Sequence, residues 1–256
     1  MLALAQVYRN YVHLALLTDD PDRALEMSEK AIGLVDQLTP SQRAENWLLE
    51  AEVGSIHFQT GTVLYQEARY KDALAYFDRG ADSFARVLKK MPGQPNAEAQ
   101  LRGLLAGRAG ANLALGKYDD ALRDCDGFEK SGTKGAALLP RATALAGKGD
   151  HKAAVAMLAR KGADKFRGDK DRQFELAGFY AAAAGAARND AGLDPAEQRA
   201  LFRQYAGTAA HLLTTLAENN YFRKKQRLAA LKGGKPFDAV RSLPEVTKLI
   251  ADAEEP

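Results

Sequence analysis

A short pattern that occurs four times constrains the fold of this chain more than any other feature. In each copy a polar turn is followed by the start of a helix in which one position is always alanine. The four copies are Asp20-Pro-Asp-Arg-Ala-Leu, Arg69-Tyr-Lys-Asp-Ala-Leu, Lys117-Tyr-Asp-Asp-Ala-Leu and Asp150-His-Lys-Ala-Ala-Val, and the alanines are Ala24, Ala73, Ala121 and Ala154. Because a methyl side chain lets two antiparallel helices approach closely, the pattern predicts a series of helix hairpins.

Capping signals at several points indicate that the rest of the chain is also helical. Asp20-Pro21 and Asp194-Pro-Ala-Glu197 each place an N-cap before a proline at the first helical position, and Thr39-Pro-Ser-Gln42 and Ser242-Leu-Pro-Glu245 are similar. Between these points apolar residues recur at spacings of three and four, without strand-like alternation. We therefore predict the all-α class.

The bulk composition fits a soluble protein with a packed core. Of the 256 residues, 46% are apolar and 27% are charged, and the net charge of +3 is too small to indicate a nucleic acid as the main partner. Cys125 is the single cysteine, so no internal disulfide forms. Residues 1–17 lack the unbroken apolar centre of a signal peptide, and no run is long enough to span a membrane. We expect a cytoplasmic location for the isolated chain, although a longer parent protein could be tethered to a membrane.

One segment identifies a family that the repeated pattern resembles. Gly110-Ala-Asn-Leu-Ala-Leu-Gly-Lys-Tyr-Asp-Asp-Ala-Leu is similar to the tetratricopeptide (TPR) repeat, in which the two helices of a pair pack through small residues. The resemblance implies a right-handed solenoid of antiparallel helix pairs. The recurring alanines are 49, 48 and 33 residues apart, compared with about 34 in the family, so some helices should be lengthened, chiefly one from Pro40 to about Glu67.

The predicted organisation is a single helical-repeat domain over residues 1–256. Its repeat-like units cover about 1–38, 39–92, 96–132 and 135–165, and residues 170–256 form a last repeat and a capping segment. In the first helix, Tyr8, Tyr11, Val12 and Ala15 are expected to form one apolar stripe that faces the second helix of the pair.

The C-terminal part carries a second resemblance. Its segments are Phe174-Glu-Leu-Ala-Gly-Phe-Tyr-Ala-Ala-Ala, Asp194-Pro-Ala-Glu-Gln-Arg, Tyr205-Ala-Gly-Thr-Ala-Ala-His-Leu-Leu and Phe237-Asp-Ala-Val-Arg-Ser-Leu-Pro-Glu-Val. Together they look like the C-terminal repeat region of planctomycete serine/threonine protein kinases. This resemblance implies that the chain is a fragment of a longer signalling protein, but it brings no kinase domain with it.

Motifs for catalysis and for cofactors are absent from the sequence. There is no kinase glycine-rich loop, His-Arg-Asp or Asp-Phe-Gly, and Gly147-Lys-Gly149 lacks the other residues of a phosphate-binding loop. Asp124-Cys-Asp-Gly127 lacks the twelfth-position carboxylate of a calcium loop. The four histidines lie in separate helical units, which argues against a metal site, and Cys125 is expected to be a buried apolar residue. We therefore expect no enzyme activity, no cofactor and no nucleotide.

The residues most suited to bind a partner are expected on the concave face of the first two units. A groove of this kind is lined by the first helix of each pair, and its surface here is mixed polar and aromatic. The candidate partner-binding residues are Arg9, His13, Leu16, Phe58, Thr62 and Tyr65.

A second candidate surface is the basic run near the C-terminus. Its members are Arg223, Lys224, Lys225, Arg227, Lys232 and Lys235. They either form a solvated helix end or attract an anionic partner.

These observations favour a protein–protein interaction scaffold that binds a peptide or protein on its concave face. The alternative is a regulatory or substrate-recruiting TPR module of a larger bacterial serine/threonine protein kinase.

Overall fold

A computed structural model describes residues 2–18, 20–37, 39, 41, 46–130, 137–161 and 168–254. Helix accounts for 84% of the structure, and no strand occurs among these residues. The predicted all-α class is therefore confirmed. The chain divides into two compact units, residues 1–111 and 112–256. The single repeat domain expected from the sequence stays a prediction.

Among the residues that the structure describes, five helices with defined bounds begin in the first unit. They are α1 (Leu2–Leu17), α2 (Pro21–Asp36), α3 (Trp47–Gln66), α4 (Tyr70–Lys90) and α5 (Pro95–Ala114), and the boundary between the units falls in the last turn of α5. Within this unit α1 pairs with α2 and α3 pairs with α4, and both α1 and α2 pack against α3. The apolar core between them includes Val12, Ala24, Val53, Ile56 and Val63.

The second unit contains the remaining helices. They are α6 (Tyr118–Lys130), α7 (Leu138–Gly147), α8 (His151–Lys161), α9 (Lys170–Arg188), α10 (Pro195–Glu218), α11 (Lys225–Gly233) and α12 (Pro244–Glu254), with single 3₁₀ turns at Tyr221–Arg223 and Lys235–Phe237. Helix α9 packs against α7, α8 and α10 and lies at the centre of a continuous apolar core. Its buried surface is made largely of alanine, including Ala181, Ala183, Ala184 and Ala187.

The four turns predicted from the repeated pattern share one hydrogen-bonding arrangement. The last turn residue donates its backbone N–H to the carbonyl five positions earlier: Asp20 to Ala15 (2.9 Å), Arg69 to Leu64 (2.9 Å), Lys117 to Asn112 (2.8 Å) and Asp150 to Leu145 (2.9 Å). The alanine four positions later then donates to the carbonyl of that turn residue, and all four alanines are fully buried. The predicted recurrence of one turn and one buried alanine is thus confirmed, whereas a solenoid of TPR type stays a prediction.

The start of α3 differs from the sequence prediction. A single helix from Pro40 to about Glu67 was expected, but α3 begins at Trp47 because Asn46 has extended backbone angles (φ −113°, ψ 96°). The Asn46 side chain accepts hydrogen bonds from the backbone N–H groups of Leu48 and Leu49 at 3.1 and 3.3 Å, as an N-cap does. Pro40 and residues 42–45 lie outside the described residues, so the predicted cap at Thr39–Gln42 is not covered.

The helix starts predicted in the C-terminal part are confirmed. Asp194 and Glu197 form a capping box at the start of α10, and α12 begins at Pro244. Tyr221, which the sequence places beside the basic run, is buried and its hydroxyl donates to Asp171 at 2.7 Å. The guanidinium of Arg227 lies 4.0 Å from the centre of the Tyr221 ring, and its Nη2 lies 3.1 Å from Oδ1 of Asp171, so Arg227 joins α11 to the first turn of α9.

Candidate functional site

The predicted partner-binding residues of α1 have different surroundings. Nε of Arg9 lies 3.2 Å from Oε2 of Glu52 on α3, so this guanidinium is engaged within the unit. His13 is exposed to solvent. Leu16 lies within α1, but its side chain is outside the described part of the structure. Of the two residues whose side chains are described, His13 is exposed and Arg9 is half-buried.

Two of the three predicted residues of α3, Phe58 and Tyr65, face α5. The Phe58 ring lies 6.4 Å from the ring of Phe77, and a Cβ atom on Gly103 of α5 would come within 2.8 Å of it. Tyr65 packs edge-on against Tyr70 with a centroid separation of 5.4 Å and also lies against Gly110.

Thr62, the third predicted residue of α3, donates its hydroxyl to the carbonyl of Phe58 at 2.9 Å. Since Phe58 and Tyr65 pack against neighbouring helices, much of the aromatic surface that was expected to bind a partner is used for helix packing. The partner-binding role of all six residues stays a prediction.

An exposed apolar row on α1 was not recognised in the sequence. Its members are Leu4, Val7, Tyr11 and Leu14, with 45%, 46%, 51% and 53% of their surfaces exposed, and we call them the α1 row. The sequence analysis placed Tyr11 in the stripe that faces the hairpin, together with Tyr8, Val12 and Ala15. Val12 and Ala15 are indeed buried and Tyr8 packs against the core, but Tyr11 points to solvent, so its assignment was wrong.

An open cleft of about 820 Å³ lies in the second unit. Three connections and the last turns of α9 form its walls, and its floor consists of small residues. Those floor residues are Ala146, Gly147, Ala181, Ala182, Gly185, Ala186 and Ala239. Of these, Gly147, Gly185 and Ala186 are partly exposed, whereas Ala146 and Ala181 are fully buried, and the Tyr118 ring lies directly over Gly147. Lys148 and Gly149 of the Gly147-Lys-Gly149 segment singled out in the sequence form part of one wall.

Side chains of both charges surround the cleft. Lys148 is paired with Asp119, and Lys235 is paired with Asp238, which also binds Arg241 at 2.6 Å. These ion pairs partly neutralise the positive charges of Lys148 and Lys235.

Arg188 differs from the two lysines. Its guanidinium lies 5.0 Å from the centre of the Phe202 ring, and within the described ranges no carboxylate is paired with it. It is therefore the cation at the cleft that is most available to an acidic group.

A hydrogen-bonded His–Asp pair lies behind one wall of the cleft. Nε2 of His151 is 3.1 Å from Oδ2 of Asp190, and the imidazole packs edge-on against Tyr205. Hydrogen bonds from the Gly192 backbone N–H and with His151 hold the pKa of Asp190 below its usual value. His151 is buried, and its Nδ1 has no hydrogen-bond partner among the described residues. Since no hydroxyl or thiol is bound to that nitrogen, the pair lacks the geometry of an activated nucleophile.

Cys125 and Asp124, which the sequence analysis also considered, are buried among other residues of the second unit. Cys125 is buried as predicted, and burial raises the pKa of its thiol to about 11. Asp124 is also buried and accepts a hydrogen bond from Nδ2 of Asn112 at 3.0 Å. In the part of the chain that the structure describes, no three His, Cys, Asp or Glu side chains come together in a way that could hold a metal ion.

The C-terminal basic run is partly engaged within the protein. Arg227 lies on Tyr221, Lys232 pairs with Glu254, and Lys235 pairs with Asp238. Arg223 and Lys225 are exposed. Binding of an anionic partner at this run stays a prediction.

Comparison of the chain with protein-family models, with characterised proteins and with solved structures found no match. The resemblances to TPR repeats and to the kinase repeat region therefore stay predictions. Among the described helices, none combines the length and the apolar character needed to cross a membrane.

Proposed function

We propose that this chain is a protein-interaction scaffold and that the cleft of its second unit binds a polypeptide segment of the partner. The observation that carries the proposal is the cleft itself, about 820 Å³ in volume, with a floor of alanine and glycine. The partly exposed Gly185 and Ala186, together with the Tyr118 ring over Gly147, supply apolar contact for the backbone and small side chains of a bound segment, and the surrounding charges can orient it.

The charges at the cleft favour an acidic segment. The carboxylates already accept hydrogen bonds or form ion pairs: Asp150 accepts from the backbone of Ala153, Asp190 is bound to His151, and Asp238 is paired. Arg188 is the exception among the cations, because its contact is with an aromatic ring. A Glu or Asp side chain of the partner would form a charge-assisted hydrogen bond with it.

A random peptide library displayed on phage tests the proposal. We expect the selected peptides to be enriched in Asp or Glu and to bind the purified chain. Arg188→Ala should weaken binding at least tenfold, in keeping with the loss of a charge-assisted hydrogen bond of about 1.5–3 kcal/mol. Ala186→Trp, which fills the floor, should abolish binding.

Arg199→Ala is the matched control, because Arg199 is an exposed arginine on α10 that does not line the cleft. It should leave the affinity unchanged. Peptides whose affinity is the same for Ala186→Trp and for the parent would show that the cleft is not the binding surface.

A further inference from the structure

Helix α1 is apolar on two sides, and the first unit covers one of them. Val12 and Ala15 are buried against α2 and α3, whereas the α1 row is about half exposed. A helix that is apolar over most of its circumference is normally buried on both sides. The α1 row thus has the character of an interface.

The spacing of the row is that of a helix-pairing seam. Its positions are separated by three, four and three residues, as in the a and d positions of two heptads. The face is also uncharged. Arg9 is the single Lys, Arg, Asp or Glu residue of α1, and it forms an ion pair with Glu52 of α3. At 100° per residue, Arg9 lies opposite the row, between Val7 and Tyr11 in sequence.

The row is complementary to itself in one orientation. If two copies of α1 are antiparallel, with a twofold axis at the level of residue 9, Leu4 of one copy faces Leu14 of the other, and Val7 faces Tyr11. Val7 then lies against Tyr11 at two sites, and every contact occurs twice with the two copies exchanged, as in an isologous interface. A parallel pair would instead place Tyr11 against Tyr11 and leave space at Val7.

We propose that two copies of this chain associate through the α1 row, with their α1 helices antiparallel. The absence of charge from this face removes the repulsion that identical charges would cause in a self-associating surface. Helix α1 is about 24 Å long, so it can bury only a small area. This area is smaller than the roughly 800 Å² per partner of a standard interface, and we therefore expect a weak dimer in the micromolar range. This inference does not depend on the cleft, and the two can fail separately.

Sedimentation equilibrium of the whole chain, over a concentration range from about 1 to 500 μM, tests the proposal. We expect the average mass to rise from 27.7 kDa towards twice that value. Val7→Glu and Tyr11→Lys should each weaken association at least tenfold. Ala75→Glu, at an exposed position of α4, adds the same charge as Val7→Glu and should leave association unchanged. A chain that stays at 27.7 kDa over the whole range would overturn the proposal, and so would association that is indifferent to both substitutions.

Mixing the two variants tests the orientation. In an antiparallel pair, Glu at position 7 of one copy faces Lys at position 11 of the other, while the second site keeps its Val–Tyr contact. The mixture should therefore form a heterodimer that is tighter than the homodimer of either variant. Failure of the mixture to associate, with both variants folded by circular dichroism, would overturn the antiparallel arrangement. The pair Leu4→Glu and Leu14→Lys repeats the test at the outer sites if either first variant does not fold.

Discussion

The ring of Phe77 lies directly against the backbone of Gly107, and the same Cε1 edge of the ring also lies against Gly61. A Cβ atom on Gly107 would come within 2.7 Å of the ring, and one on Gly61 would come within 2.6 Å. Phe77 is fully buried, so the ring has no free space into which it could move. Helices α3, α4 and α5 are therefore held together by one aromatic side chain that packs against two glycines.

We expect Gly107→Ala to destabilise the chain, because its methyl group overlaps the Phe77 ring. Overpacking of a buried site costs about 1–3 kcal/mol of unfolding free energy. Gly207→Ala on α10 is the control, since nothing lies within 4 Å of the position of its added methyl group. That substitution should stabilise by about 0.5–1 kcal/mol through helix propensity. Urea unfolding of the two variants measures both effects, and equal stabilities would contradict the Phe77 packing.

The turn between α3 and α4 should be improved by a glycine. Ala68 has a φ of +58°, while Gly116 and Gly149, the middle residues of two other turns of the same kind, have φ values of +74° and +101°. An alanine in the left-handed conformation costs about 1–2 kcal/mol in the folded state. Replacing it with glycine removes this cost, but the greater chain entropy of glycine in the unfolded state offsets about 0.4–1 kcal/mol of the gain.

Ala68→Gly should accordingly raise the unfolding free energy by about 0.5–1 kcal/mol. Gly149→Ala should lower it by about 1 kcal/mol through backbone strain alone, because no atom lies near the added methyl group. Denaturant melts of both variants distinguish the two signs, and a destabilising Ala68→Gly would show that the turn does not favour glycine.

The buried alanines of the repeated pattern provide a third prediction. Ala24→Leu and Ala73→Leu each insert a larger side chain into a closed helix contact and should cost about 1–3 kcal/mol. Lys225→Leu, at an exposed position, should change stability by no more than about 0.5 kcal/mol. Thermal or urea unfolding of the three variants makes the comparison. If Lys225→Leu were the most damaging of the three, the basic run would be a packed element rather than a surface.

The stability of the fold should decrease in alkaline solution, in part through Cys125. Burial raises the pKa of its thiol from 9.0 to about 11. Because the unfolded chain loses this proton first, the contribution is fully present below pH 9 and is lost as the pH rises to 11. At pH 10.5 the loss is about 2 kcal/mol, since one pKa unit corresponds to 1.36 kcal/mol.

Cys125→Ala lacks this titration, so its stability should fall less than that of the parent between pH 8 and pH 10.5. Tyr70, whose pKa burial raises to about 12, titrates in both proteins and does not affect the comparison. Urea melts at each pH under reducing conditions provide the values. Parallel pH profiles for the two proteins would contradict the assigned cause.

The parts of the fold that depend on local chemistry were predictable from the sequence. The capping box of Asp194 and Glu197 and the proline at the start of α12 act within one turn of a helix, so a few neighbouring residues are enough to predict them. The start of α3 was not predicted, because the apolar spacing continues through Asn46 and the cap depends on its backbone angles.

The candidate surfaces were harder to predict because they depend on which helix covers which face. The sequence places Phe58 and Tyr65 on one face of α3, but it does not show that glycines of α5 lie against them. Likewise, the two apolar sides of α1 are adjacent in the helical pattern, and the sequence alone does not separate the covered Val12 from the open Tyr11. The cleft brings together residues from Tyr118 to Ala239, and no local pattern indicates that they meet.

The alanine surface of α9 has a consequence for how the second unit becomes ordered. A methyl side chain has no rotamers to lose, so burying Ala181, Ala183, Ala184 and Ala187 costs no side-chain conformational entropy. The larger side chains that cover this helix, such as Leu213 and Leu216, lose about 0.5–1 kcal/mol each. The conformational cost of forming this core therefore falls mainly on α10 and its neighbours, while the helix at the centre contributes backbone order alone.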